Sequence, residues 1–88
     1  MILNIRNATM THTKEDGYIG KVDFEVAGHK EPYEIMLQSK RGKEWGYALS
    51  FLAASGPDEE IDALDVFLDE DDDAFDQLIE AAKSALRV

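Results

Sequence analysis

Between Lys21 and Ala27 the chain alternates strictly, with Val22, Phe24 and Val26 on one side and Lys21, Asp23 and Glu25 on the other. A period of two marks a strand with one face buried and the other in water. Tyr33, Ile35 and Leu37 repeat the pattern, and Trp45, Tyr47, Leu49 and Phe51 repeat it again. The intervening segments, Glu15-Asp16-Gly17, Gly28 to Pro32 and Lys40-Arg41-Gly42-Lys43, are short and rich in turn formers. Short links join neighbouring antiparallel strands, so this part of the chain reads as a meander. A first strand is expected within residues 2–12, from Ile2, Leu3, Ile5 and the Thr-rich stretch after them, with its phase of alternation unassigned.

The period changes near the end of the chain. Phe75, Leu78, Ile79, Ala82 and Leu86 fall at i, i+3, i+4, i+7 and i+11, an apolar stripe of helical spacing. Asp72 or Asp73 can cap its start, and Lys83 and Arg87 lie near its end, where the helix dipole favours positive charge. Residues 57–69 fit two patterns. Pro57 followed by Asp58, Glu59 and Glu60 is a helix start, and Ile61, Leu64 and Leu68 share a helical face. Leu64, Val66 and Leu68 also alternate with Asp65, Phe67 and Asp69, and the Val66-Phe67-Leu68 cluster favours a strand. The second pattern is preferred. The expected architecture is therefore α+β, an antiparallel meander of four to five strands with one C-terminal amphipathic helix on one face. Met36, Ala48 and Leu52 point away from that helix and suggest an apolar patch suited to a homodimer.

Eighty-eight residues leave room for a single domain, residues 1–88, and 44% hydrophobic residues are enough for a core. The formal charge of −10 is unevenly placed. Residues 1–56 carry equal numbers of acids and bases, and the whole excess falls in residues 57–88. Such an excess opposes direct binding to nucleic acid or to an anionic membrane surface, both of which select basic side chains. Without cysteine there is no disulfide, thiolate metal site or thiol nucleophile. The opening residues lack the basic and apolar regions of a secretory signal, and no apolar run approaches the length of a membrane span, so the expected location is cytoplasmic.

Among possible chemical motifs, the segment from Asp69 to Glu80 resembles the EF-hand calcium loop. Asp69, Asp71 and Asp73 stand at its first, third and fifth places and Glu80 at its twelfth. The resemblance implies calcium bound by these four carboxylates. The sixth place, however, holds Ala74 where the family has Gly, and the eighth holds Asp76 where it has an apolar residue. The stripe starting at Phe75 also demands helix where a loop would wrap its ion. The segment is read instead as an acidic linker entering a helix cap, with a weak divalent-cation cluster as the alternative, and no cofactor is expected.

Lys40, Arg41 and Lys43, with Trp45 after them, form the single basic cluster. They suit either a phosphate or nucleic-acid contact with an aromatic platform or a solvated hairpin turn with Trp45 in the core, and the second is preferred. His12 and His29 accompany no nucleophile with a local base, and Ser39, Ser50, Ser55 and Ser84 occupy no recognisable elbow. No phosphate-binding glycine pattern occurs. An enzyme is not expected. If a ligand groove exists, His29 with Tyr33, or Trp45 with Tyr47, are its candidates.

The expected role is a non-enzymatic interaction module. Its face comprises Asp58, Glu59, Glu60, Asp62, Asp65, Asp69, Glu70, Asp71, Asp72, Asp73 and Asp76, and its partner is a protein with a basic surface. One alternative is a DNA mimic of the phage-inhibitor type, in which these carboxylates stand in for phosphates. The others are a weak divalent-cation-binding domain, a small enzyme and a homodimer.

Overall fold

A computed structural model describes residues 1–86. The chain forms β1 (Leu3–Thr13), β2 (Gly17–Val26), β3 (Tyr33–Ser39) and β4 (Gly46–Phe51), followed by α1 (Asp58–Glu70) and α2 (Asp72–Ser84). All neighbouring strands are antiparallel and the sheet order is β1-β2-β3-β4, as their short links require. The fold is α+β, with four strands and two C-terminal helices. No helix among the described residues is long and apolar enough to cross a membrane.

The alternating residues become the core. Val22, Phe24, Tyr33 and Ile35 are fully buried, and Leu37 and Val26 nearly so. In β1 the phase changes because the register slips between Ile5 and Asn7, leaving Arg6 as an extra residue. Leu3 therefore faces the core at an odd position and Met10 at an even one. No single alternation can describe that strand.

The fifth strand and the single helix expected from the sequence are both corrected: residues 58–70 are helical. Pro57 is extended at φ −65° and ψ 129°, and three acids fill the first turn after it. Helical spacing places Leu64 and Leu68, at 0% and 2% exposure, against the sheet, with Ile61 packed beside them. Residues two apart on a helix are separated by about 200°. Val66 accordingly points outward and is 55% exposed, although it alternates with both leucines.

The start of the second helix is also shifted by one residue. Asp71, rather than Asp72 or Asp73, is its cap, and Asp71 Oδ1 accepts from the Ala74 amide at 3.1 Å. The Asp71 amide donates back to Phe67 O at 2.8 Å, so one residue closes α1 and opens α2. The expected stripe holds: Leu78, Ile79 and Ala82 are buried, while Phe75 and Leu86 pack at the core margin. A Cβ on Gly20 would lie 3.2 Å from Ala82 Cβ, which shows how closely α2 approaches β2.

Candidate functional site: an acidic helical face beside an outer strand

Helix formation over residues 58–70 arranges the acids. Asp58, Asp62, Asp65 and Asp69 follow at i, i+4, i+7 and i+11, which confines them to an arc of about 60° along about 16 Å of axis. All four are exposed. On α2, Asp73, Asp76 and Glu80 follow at i, i+3 and i+7, with Asp72 beside them. The ion pairs among the described residues are Arg6 with Glu25 and Lys83 with Glu80. Neither involves a carboxylate between Asp58 and Asp76.

The eleven acids of the expected face do not share one role. Glu60 is half-buried and its Oε1 accepts from the Lys30 amide at 2.9 Å, tying α1 to the link between β2 and β3. Asp71 is the helix cap. Asp65 accepts from the Tyr47 hydroxyl at 2.5 Å. Burial first, then this hydrogen bond and the charges of Asp65 and Asp69, push Tyr47 up to about 12. The other eight, Asp58, Glu59, Asp62, Asp69, Glu70, Asp72, Asp73 and Asp76, are exposed, as is Asp65.

The four residues of the calcium-loop comparison are not brought onto one loop. Asp69 lies in the last turn of α1, Asp71 links the helices, and Asp73 and Glu80 lie within α2. Among the described residues no group of three or more His, Asp or Glu is arranged to hold a metal ion.

The basic turn lies between β3 and β4. Lys40, Arg41 and Lys43, with Ser39 and Glu44, line an open depression of about 350 Å³. Lys40 Nζ donates to Glu15 O at 3.1 Å, and the Gly42 amide donates to Ser39 Oγ at 2.8 Å. Trp45 packs on the margin of the core, 6.0 Å from Tyr18 between ring centroids, with Lys83 Nζ 5.9 Å from its own ring centroid.

Both histidines contact tyrosines. His12 lies 4.3 Å from the Tyr18 ring. His29 Nδ1 and the Tyr33 hydroxyl share a hydrogen bond of 2.7 Å, and Tyr33 stacks on Phe51. Burial, followed by the charge of Glu60, raises the Tyr33 pKa. On the helix-free face of the sheet, Met36 and Ala48 are exposed as expected, Ile19 joins them and Leu52 is half-buried. Lys21 and Asp23 in β2 and Glu34 in β3 stand beside this small patch.

One feature was not anticipated from the sequence. Tyr47, Leu49, Ile61, Asp62 and Asp65 surround a groove of about 430 Å³ between β4 and α1. Its lining combines the apolar side chains of Leu49 and Ile61 with the carboxylates of Asp62 and Asp65. No signal in the sequence located it, because residues 57–69 read as a fifth strand of the meander and the groove exists only once residues 58–70 are helical. Comparison with known protein families, curated proteins and solved structures finds no match to this chain.

Proposed function

We propose that the protein is a small acidic interaction module that docks α1 and α2 on a basic surface of a partner protein. The supporting observation is the exposed row Asp58, Asp62, Asp65 and Asp69, continued by Asp73, Asp76 and Glu80, with no ion pair on the α1 row among the described residues. A fixed row of like charge raises encounter rates with an oppositely charged surface and disfavours acidic partners. Binding of this kind weakens as salt screens it.

Titration with a lysine oligomer at low and moderate salt tests the location of the site. Replacing Asp58, Asp62, Asp65 and Asp69 together by Asn is expected to weaken binding about tenfold or more and to flatten its salt dependence. Replacing four acids of the strand half, Glu15, Asp16, Glu31 and Glu44, changes net charge equally and is expected to have a much smaller effect. Equal losses in the two variants overturn the proposal.

Mimicry of DNA phosphates is a second reading, favoured by rows of carboxylates carried on helices rather than on a loop. It predicts that the protein displaces duplex DNA from a basic DNA-binding protein. Simultaneous binding of both at low salt overturns it.

A further inference from the structure

The two outer strands differ in their capacity to pair further. On β1, the irregularity at Arg6 interrupts the ladder, and Gln77 Nε2 donates to Leu3 O at 3.3 Å. Both features blunt an edge. In β4 the Leu52 amide donates to Pro32 O. Antiparallel alternation then directs Gly46, Ala48 and Ser50 toward β3, and turns the N–H and C=O groups of Tyr47, Leu49 and Phe51 outward. β4 contains no charged residue or proline.

The side chains also mark this edge as incomplete. Ile35 and Leu37 in the adjacent strand are at most 1% exposed, whereas Tyr47, Leu49 and Phe51 are half-buried. The groove opens beside them, lined by Leu49 and Ile61 and by the carboxylates of Asp62 and Asp65.

We propose that β4 accepts an extended basic segment of a partner protein as a fifth strand. Alternate Lys or Arg side chains lie along the groove, their stems covering Leu49 and Ile61 and their charges meeting Asp62 and Asp65. This mode rests on the acidic docking role proposed above and specifies the partner's conformation. Backbone bonds to Tyr47, Leu49 and Phe51 provide pairing, while Asp62 and Asp65 select charge. Pairing with β4 of a second copy brings Asp62 and Asp65 of both copies to one seam, where like charge opposes it.

The test uses a capped heptapeptide of alternating lysine and valine, and the same peptide with its backbone nitrogens methylated, which keeps the charge but removes the donors. The expected result at low salt is hydrogen-exchange protection of the Tyr47, Leu49 and Phe51 amides by about tenfold or more, with the methylated peptide binding correspondingly more weakly. Asp62→Asn with Asp65→Asn is expected to weaken the first peptide while keeping the same pattern of protected amides. Equal binding of the two peptides without protection at β4 overturns strand addition and leaves acidic docking standing. Failure of both to bind overturns both proposals. Protection that develops with protein concentration alone assigns the edge to a second copy and also overturns the proposal.

Discussion

Gly17 joins two turns through its lack of a side chain. Its φ is 74°, and a Cβ there would lie 2.5 Å from Ser39 O and 2.7 Å from Lys40 Cα. Both obstructing atoms belong to the backbone, so no rotamer change relieves the contact. Gly17→Ala is expected to cost about 1–3 kcal/mol in urea unfolding, through an unfavourable φ combined with overlap. Gly28 provides the comparison: its φ is 89°, but no atom lies within 4 Å of an added Cβ. Gly28→Ala should therefore cost less, and equal losses at both sites would show that close packing at Gly17 contributes nothing. Tyr47 permits a different residue-level test, because its pKa is raised to about 12 by burial first and by Asp65 second. A raised folded-state value means that its stabilising contribution is complete below the ordinary value of about 10 and is lost as pH rises through about 12. Asp65→Asn is expected to lower the Tyr47 transition in a tyrosinate absorbance titration. An unchanged transition would remove Asp65 as a cause.

The elements differ in how clearly they could be read. β2 and β3 were legible because half-buried antiparallel strands impose a period of two, and Val22, Phe24, Tyr33, Ile35 and Leu37 keep it without interruption. β1 was less legible because one extra residue reverses its phase. α1 was obscured by three apolar residues, Leu64, Val66 and Leu68, that satisfy a strand pattern while only two of them satisfy the helical face. The acidic site inherited that ambiguity: the charges were visible, but their arrangement into a row depended on the helix. Substitution can separate the two patterns physically. Leu64→Ala removes a fully buried side chain and is expected to cost about 2–5 kcal/mol, whereas Val66→Thr alters an exposed position and should cost under about 0.5 kcal/mol. Comparable destabilisation by the two, measured in urea, would contradict the helical placement of Val66.

At the scale of the molecule, charge and stability pull in opposite directions. Acids in the first turn of α1 complement its dipole, but Asp69 and Glu70 occupy its last turn, where no basic residue is present. Asp58 with Asp62, and Asp65 with Asp69, are also like-charged neighbours at i,i+4, each pair costing about 0.2–0.5 kcal/mol. A sequence selected for helix stability alone would place Lys at position 69. Asp69→Lys reverses the unfavourable end charge and converts the Asp65 pair into an attractive one, so it should stabilise the protein by about 0.5–1 kcal/mol at low salt. The same change interrupts the exposed acidic row and should weaken lysine-oligomer binding. Opposed changes in melting temperature and affinity are the expected signature of a surface whose charge serves recognition at some cost to folding. If Asp69→Lys raises the melting temperature while leaving affinity unchanged, Asp69 has no part in docking and the effective row ends at Asp65. Moderate salt should reduce both effects, because the groups are exposed and subject to screening.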